Sequence, residues 1–222
     1  MSQTSLLLDV QDIGYAQDGT TLLAPVSLQL SQGEFLMLTG PSGSGKSTLL
    51  KIVASLLEAT QGEIRCKGRP ISELNPENYR QQVSYCFQTP TLFGETVYDN
   101  LALPWQIRQK KADREVLQAW LKRVNLSEAM LDKKCEQLSG GEKQRVALLR
   151  NLQFLPEVLL LDEITSALDE ENKRTINQLI NGLVSEKGVA VIWISHDAAE
   201  TEQAHRVVTL TPPTGKRNDE SA

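Results

Sequence analysis

The segment Gly40–Ser47 constrains this chain more than any other feature of its sequence. It reads GPSGSGKS, follows the compact apolar run Glu34–Thr39, and leads into Lys46–Leu57, where apolar residues recur at helical spacing. The glycines of this loop let the backbone curl so that successive N–H groups point inward, and the helix N-terminus adds a partial positive charge. The pattern G-x-x-x-x-G-K-[ST] between a strand and a helix therefore predicts a cradle for phosphate groups.

The side chains of this loop predict which atoms contact a nucleotide. Lys46 would place a point charge on the β and γ phosphates, and Ser47 would supply a hydroxyl to Mg²⁺. The alternative is a glycine-rich turn without a ligand, but a chance match is expected in only about one in a hundred chains of this size. The predicted nucleotide contacts are Gly40, Pro41, Ser42, Gly43, Ser44, Gly45, Lys46, Ser47 and Thr48.

A second buried strand ends in two carboxylates. Val158–Leu161 is apolar, and Asp162 and Glu163 follow it directly. Ligands in open α/β sheets bind beyond the carboxyl ends of the strands, which is where these acids fall. Alone, two acids at a strand end are more often solvated or cap a helix. Because the chain also contains the predicted phosphate cradle, a functional role for these acids is the favoured interpretation. We predict that Asp162 holds Mg²⁺ through water and that Glu163 orients or deprotonates the attacking water.

Strands and helices alternate along most of the chain. This alternation predicts an α/β fold with a mostly parallel sheet that is covered on both faces. The block 88–138 breaks the alternation, and we interpret it as a helical subdomain inserted into the core. Beside the segments already named, the predicted strands are Leu6–Asp12, Thr21–Leu30, Val83–Phe87 and Val189–Ile194, and the predicted helical segments are Thr96–Asn125, Gly141–Gln153 and Glu170–Ser185.

Composition excludes several classes of protein. The 222 residues carry 23 Lys and Arg against 28 Asp and Glu, a net charge of −5, which argues against a dedicated nucleic-acid binder. No apolar run approaches the roughly 20 residues that cross a bilayer. The start, MSQTSLLLDVQD, lacks the basic and apolar regions of a signal peptide, so we expect a cytoplasmic protein. Cys66, Cys86 and Cys135 are widely spaced, which favours ordinary reduced thiols over a zinc site or a disulfide.

A second glycine turn indicates the family. The segment Leu138–Arg145 reads LSGGEKQR and opens a helix, so it forms a second phosphate-sized anion site about a hundred residues after the first. This sequence resembles the signature motif of ABC-type ATPases. In that family the signature of one subunit covers the γ-phosphate bound by the loop of another, and two copies sandwich two ATP molecules. The resemblance implies a dimer in which Ser139, Gly140, Gly141 and Glu142 contact the nucleotide of the partner.

Other landmarks of the family occur in order along nearly the whole chain. Tyr15 matches the aromatic residue that stacks on adenine, and Gln88 matches the glutamine that touches Mg²⁺ and the attacking water. The run Ser166–Asp169 matches a loop that crosses the dimer interface, and His196 matches the histidine that senses the γ-phosphate. The resemblance thus implies catalytic roles for Glu163, His196, Gln88 and Lys46, nucleotide contacts for Tyr15 and Asp169, and Mg²⁺ ligation by Ser47, Gln88 and Asp162.

One position departs from the family pattern. Residue 164 is Ile, where the family usually has Pro between the catalytic Glu and the Thr-Ser-Ala-Leu-Asp run. Loss of the fixed φ of proline should loosen the turn slightly without removing a catalytic atom. We therefore expect ATP hydrolysis to be intact.

The family resemblance also implies a domain division and a partner. It implies one ABC ATPase domain over residues 1–222, with a core of 1–87 and 139–211, a helical subdomain of 88–138 and a flexible tail of 212–222. A transporter subunit of this kind acts with an integral membrane permease, on the cytoplasmic face of the bacterial inner membrane. The permease would insert a short helix into a groove for which we predict the lining residues Leu92, Phe93, Val97, Tyr98 and Trp105.

The transported solute is implied by resemblance alone. Tyr79–Leu101, Pro104–Arg108, Arg150–Phe154 and Ile164 are similar to the ATP-binding subunits of bacterial iron export systems. A transporter of another solute, with lipoprotein or peptide extrusion as the next candidate, is the alternative. A soluble ABC ATPase acting on DNA or ribosomes is disfavoured, because such proteins usually need a coiled-coil insertion or two fused ATPase domains.

Overall fold

The computed structural model describes residues 5–213, and these residues form two sheets. A four-stranded antiparallel sheet has the order β2-β1-β4-β5, and a five-stranded parallel sheet has the order β6-β7-β8-β3-β9. The strands are β1 (Leu6–Gln17), β2 (Thr20–Ser31), β3 (Phe35–Thr39), β4 (Gln61–Cys66), β5 (Arg69–Pro70), β6 (Val83–Cys86), β7 (Val158–Asp162), β8 (Ala190–Ile194) and β9 (Arg206–Thr209).

Seven α-helices occur within residues 5–213. They are α1 (Lys46–Val53), α2 (Pro76–Gln82), α3 (Val97–Ile107), α4 (Arg114–Lys122), α5 (Gly140–Leu152), α6 (Glu170–Lys187) and α7 (Ala198–Glu202). Local capping fixes several of their starts: Thr96 and Asp99 form a capping box at α3, and Asp169 caps α6. None of these helices is long and apolar enough to cross a membrane.

The parallel sheet is buried on both faces, as its apolar strands predict. Alternate residues of β3 enter opposite hydrophobic clusters: Phe35 and Met37 face one, and Leu36 and Leu38 face the other. The first cluster includes α3, α4, α5 and α6, whereas the second includes α1 and the antiparallel sheet. The predicted α/β fold, with an N-terminal antiparallel sheet, a parallel sheet and a helical insert, is confirmed.

Several predicted element boundaries were wrong. Helix α1 ends at Val53 rather than Leu57, because the chain turns at Ser55, whose φ is 57°. The block Thr96–Asn125 is mainly helical, as predicted, but it consists of two helices, α3 and α4, separated by residues 108–113. Strand β1 runs five residues beyond the expected Asp12. The predicted tail begins at Pro212, and its residues 214–222 lie outside the described part of the chain.

Candidate active site

The loop between β3 and α1 has the backbone of an anion cradle. Gly40, Gly43 and Gly45 have φ values of 137°, 76° and 92°, in the region that L side chains rarely adopt. A Cβ at Gly45 would lie 2.7 Å from the carbonyl oxygen of Leu22, and one at Gly40 would lie 2.4 Å from that of Leu210. Glycine is therefore required at both positions by backbone conformation and by space.

Lys46 is fixed over this loop. Its buried ammonium donates to the carbonyl oxygen of Gly40 at 2.7 Å and to that of Pro41 at 3.1 Å. An ammonium group carries three protons, so these two bonds orient the charge without exhausting its donors. Lys46 can therefore hold a phosphate oxygen while it braces the loop.

Ser47 connects the cradle to the acidic strand. Its hydroxyl donates to Oδ1 of Asp162 over 3.0 Å, although β8 separates β7 from β3 in the sheet. Asp162 is buried at the carboxyl end of β7. A hydroxyl beside a carboxylate is an oxygen-only donor set of the kind that Mg²⁺ prefers. The residues present therefore fit a magnesium ion shared with nucleotide phosphates.

Three side chains meet in front of the cradle. Nε2 of Gln88 donates to Oε2 of Glu163 at 2.8 Å, and Nε2 of His196 lies 3.3 Å from Oε1 of the same carboxylate. Glu163 is the first residue after β7, and Gln88 and His196 are the second residues after β6 and β8. The parallel sheet therefore brings the three residues together at one edge. Glu163 has a φ of 48°, a strained backbone of the kind that collects at functional sites.

The same groups line one open cavity of about 530 Å³. This volume lies in the range of small-molecule sites. Its lining residues are Leu22, Ser42, Gly43, Gly45, Lys46, Ser47, Thr48, Gln88, Glu163 and His196. The cavity therefore joins the glycine-rich loop to Glu163 at the end of the acidic strand, together with Gln88 and His196.

The signature turn lies outside this cavity. The hydroxyl of Ser139 accepts from the backbone N–H of Glu142 at 3.2 Å, and Oε2 of Glu142 accepts from the N–H of Ser139 at 2.8 Å. This capping box starts α5, and the N–H of Ser139, followed by Lys133, lowers the pKa of Glu142. Ser139 and Gly140 are exposed, and a Cβ at Gly140 would meet nothing within 4 Å. The turn is thus open to another molecule.

The remaining predicted site residues lie near the edges of the cavity or beyond it. Tyr15 is half-buried on β1 and pairs with Leu23, the neighbour of the cavity residue Leu22. Asp169 is exposed, and its carboxylate accepts from the backbone and side-chain N–H groups of Asn172, the backbone bond being the main cause of its lowered pKa. Asp169 therefore serves as the N-cap of α6 on its own chain.

The turn at Ile164 is held by packing. Ile164 is buried in the cluster that contains the helical insert. The backbone N–H and the hydroxyl of Ser166 both donate to the carbonyl oxygen of Glu163, at 3.2 Å and 2.9 Å. A buried apolar side chain and two hydrogen bonds thus constrain this turn where the family more often has proline.

Sequence reasoning missed two residues whose hydrogen bonds hold the predicted site residues in place. Tyr85 donates to the buried oxygen Oδ2 of Asp162 at 2.6 Å. Gln144 donates from Nε2 to the carbonyl oxygen of Phe87 at 3.1 Å, which ties α5 to the segment of Gln88. These contacts join elements that are distant in sequence, so no local pattern could have revealed them.

Comparison with known proteins identifies the family of this chain. A family model described as "ABC transporter" matches residues 23–166, which include the cradle, the signature turn and the acidic strand. The chain belongs to the ABC transporter family. It is an ABC ATPase subunit, which hydrolyses ATP to drive transport.

Individual relatives agree with this assignment. The chain is 52% identical over 219 residues to the "Probable iron export ATP-binding protein FetA" of Escherichia coli K12, covering 99% of this chain and 97% of that one. It is 36% identical to the "Spermidine/putrescine import ATP-binding protein PotA" of Mycoplasma capricolum, of which it spans 60% of the length while 94% of this chain is covered.

A solved structure agrees over most of the fold. The ABC cassette MJ0796, described as a dimer in a post-hydrolysis state bound to ADP and Pi, matches with a TM-score of 0.83 and 30% identity. The match covers 92% of this chain and 94% of that chain. Nucleotide binding and cassette dimers are thus properties of a homologue of this ABC subunit.

Proposed function

We propose that this ABC ATPase powers iron export through a separate membrane subunit. The observation that carries the choice of iron is the 52% identity to FetA along 99% of the chain. The shorter span of the PotA match favours the small exporter over the polyamine importer, because the chain covers 97% of FetA but 60% of PotA. Export of a lipoprotein, a peptide or another solute is the alternative.

Within the active site, we assign each side chain a role from its contacts. Glu163 is the general base that takes a proton from the attacking water, and Gln88 and His196 hold its two carboxylate oxygens in place. Lys46 neutralises charge on the terminal phosphates from its position above the loop. Tyr15 stacks on adenine at the outer edge of the cavity.

We assign the magnesium ion of MgATP to Ser47 and Asp162, with Gln88 beside them. Bound there, Mg²⁺ would neutralise charge on the β and γ phosphates. The contact of 3.0 Å between the Ser47 hydroxyl and Oδ1 of Asp162 supports this assignment, because both oxygens already converge on one point. Gln88 contributes an amide oxygen from the same cavity.

A second copy of the chain completes the nucleotide site in this proposal. Ser139, Gly140, Gly141 and Glu142 would contact the γ-phosphate bound by the other protomer, and Asp169 would lie at the interface. The exposure of this turn and the dimeric cassette among the solved relatives support the sandwich. Hydrolysis then requires two protomers, which gives the transporter a cycle of association and release.

A groove between α2, α3 and α5 is our candidate for the membrane partner. Its volume is about 540 Å³, and Arg80, Ile107, Arg108 and Phe154 are among its lining residues. Ile107 is 63% exposed, and the guanidinium of Arg108 lies 4.3 Å from the ring centroid of Phe154. Exposed apolar and cationic groups suit an amphipathic helix with acidic residues.

The groove residues predicted from sequence need correction. Val97 is fully buried in the larger hydrophobic cluster, so it cannot line a groove. Leu92, Tyr98 and Trp105 pack partly against that cluster, and Phe93 is exposed beneath the guanidinium of Arg150. None of these five residues lines the groove between α2, α3 and α5, although Phe93 contacts Arg150, which does.

We retain the domain division 1–87 with 139–211 as core and 88–138 as helical subdomain. Helices α3 and α4 both lie inside 88–138, which supports the division. With the membrane partner attached to the groove, the protein would sit peripherally on the cytoplasmic face of the inner membrane.

The membrane partner is the point at which this proposal can be tested. We expect the tagged chain, purified from detergent-solubilised bacterial membranes, to bring down a polytopic protein. Ile107→Asp should lose that protein, because a charge replaces an exposed apolar contact of the groove. Leu56→Asp is the matched control, because Leu56 is 45% exposed after α1 and does not line the groove.

The reconstituted pair then tests the solute. In vesicles that contain both subunits, Fe²⁺ should stimulate ATP hydrolysis, whereas spermidine should not. Stimulation by spermidine alone would contradict the iron assignment. Recovery of only soluble protein bound to nucleic acid would contradict a membrane partner at this groove.

A further inference from the structure

Each oxygen of the Asp162 carboxylate accepts a hydrogen bond from a different hydroxyl group. Ser47 donates to Oδ1 at 3.0 Å, and Tyr85 donates to Oδ2 at 2.6 Å. Ser47 belongs to the nucleotide loop, whereas Tyr85 lies on β6 and is absent from the lining of the nucleotide cavity. The two oxygens of this one carboxylate thus have different neighbours, one facing the nucleotide and one facing the protein interior.

Strand order places Tyr85 at this point. Strands β6 and β7 are adjacent and parallel, with Tyr85 opposite Leu160 and Cys86 opposite Leu161, so Tyr85 lies close to the end of β7 where Asp162 begins the turn. Both side chains are buried. A tyrosine phenol carries its proton at neutral pH and an ionised carboxylate can only accept, so Tyr85 is the donor in this bond.

The same tyrosine contacts the segment that carries Gln88. The rings of Tyr85 and Phe87 pack edge to face with centroids 4.6 Å apart. The carbonyl oxygen of Phe87 is in turn fixed by Gln144. Tyr85 is therefore braced by its own packing, and its hydroxyl has little freedom to leave the carboxylate.

A fixed donor on Oδ2 restricts rotation of the carboxylate about its Cβ–Cγ bond. Charge-assisted hydrogen bonds to a carboxylate are short and strong, and outer hydrogen bonds of this type orient the ligands of a metal. With Oδ2 engaged, Oδ1 is directed toward Ser47 and the cavity. The arrangement selects one oxygen of Asp162 for the nucleotide side.

We propose that Tyr85 is a positioning residue for magnesium binding, acting through the carboxylate of Asp162. This inference rests on the proposed function, because it takes Ser47 and Asp162 as the residues beside the magnesium ion of MgATP. Tyr85 touches neither nucleotide nor metal. Its effect is to reduce the number of orientations that Asp162 can adopt before MgATP arrives.

Tyr85→Phe tests the proposal because it removes one oxygen atom and keeps the ring against Phe87. The probe is Mn²⁺, whose binding to the ADP-loaded protein is followed by electron paramagnetic resonance. We expect Mn²⁺ affinity to fall about tenfold, the lower end of the effect of outer partners of metal ligands. ADP affinity in EDTA should be unchanged, because Tyr85 lies outside the nucleotide cavity.

Tyr79→Phe is the matched control. Tyr79 is also buried, and its hydroxyl donates to the carbonyl oxygen of Val53 at 2.7 Å, away from Asp162. It therefore loses a comparable buried hydrogen bond and should leave Mn²⁺ affinity at the wild-type value. If both variants weaken Mn²⁺ binding equally, or if neither does, Tyr85 has no specific positioning role.

An Asp162→Asn background shows whether Tyr85 acts through the carboxylate. In that background, Tyr85→Phe should cause no further loss of Mn²⁺ affinity, and a full additional tenfold loss would overturn the proposal. If Tyr85→Phe does not fold, Tyr85→Met gives the same comparison, since methionine fills irregular space without a hydroxyl. Failure of the wild-type protein to bind Mn²⁺ with ADP would instead refute the metal assignment of Ser47 and Asp162.

Discussion

The phosphate loop and the signature turn are both glycine-containing segments that start a helix, yet their side chains are bound in opposite ways. Lys46 bonds carbonyl groups of its own loop, but the other side chains of the site bond across elements: Ser47 of α1 bonds Asp162 of β7, and Gln88, after β6, bonds Glu163. At the signature turn, Ser139 and Glu142 bond each other within one turn. The loop thus depends on the whole parallel sheet, whereas the signature turn forms locally and presents its backbone outward.

This difference separates two kinds of failure in an ABC ATPase. A substitution in the first region should damage the site of the chain that carries it. A substitution in the second should damage the site of its partner.

Glu163→Gln should have the largest effect. Loss of the general base is expected to slow hydrolysis by about 10²- to 10⁴-fold, while ATP affinity stays near the wild-type value and the ATP-bound dimer accumulates. Single-turnover hydrolysis and size-exclusion chromatography with ATP measure both quantities. Glu157→Gln, at the other end of β7 and paired with Lys67 on the surface, should leave turnover unchanged. Wild-type hydrolysis by Glu163→Gln would refute the assigned base.

Lys46→Ala and Ser139→Arg test whether the two regions belong to one site in two chains. Lys46→Ala should weaken ATP binding by about 10- to 100-fold, since a charge-assisted hydrogen bond contributes about 1.5–3 kcal/mol. Lys51→Ala is its control, because Lys51 is exposed on the same helix.

Ser139→Arg should keep ATP binding and lose turnover. Mixing the two inactive variants should restore hydrolysis through one complete site, and a mixture as inactive as its components would contradict the sandwich.

Glu142→Gln should have the smallest effect on the chain that carries it, because Gln keeps the shape of the side chain and removes only the charge beside the N–H of Ser139. An acid in the first turn of a helix stabilises it by about 0.3–1 kcal/mol. The pKa of Glu142 is lowered in the folded chain, so its contribution is present above its ordinary value of 4.5 and is lost as the pH falls through the depressed value. Urea denaturation should therefore separate wild type from variant at pH 7, with a gap that closes in acid. The exposed Glu136→Gln should show no such gap.

The local part of this molecule could be predicted from the sequence. The strand, glycine loop and helix around Gly40–Ser47 follow from short-range patterns, and so does the buried strand that ends at Asp162. Helix α2 was missed because PENYRQQ has no apolar periodicity, and β9 was missed because four residues are too few to show alternation. Periodicity also extended α1 to Leu57, since apolar residues continue beyond the turn at Ser55.

The contacts that support the predicted site residues could not be predicted, because they depend on the order of the strands in the sheet. A single sequence does not say that β6 lies beside β7, and without that neighbour Tyr85 is one more aromatic residue in a strand. The same order brings Gln88, Glu163 and His196 to one edge of the sheet. Their meeting was implied by the family resemblance, and the distances between them came only from the structure.

The position of β3 in the sheet also has a consequence for synthesis on the ribosome. Strand β3 lies between β8 and β9, and Thr39 at its end accepts a hydrogen bond from the N–H of Leu210 at 2.9 Å. The backbone of Leu210 is also what a side chain at Gly40 would strike. A nascent chain that has exposed the loop at residue 40 must still wait for residues 190–210 before that strand gains its neighbours. The ATP cradle is therefore among the first segments made and among the last to be shaped, so a truncated chain carries its residues without its geometry.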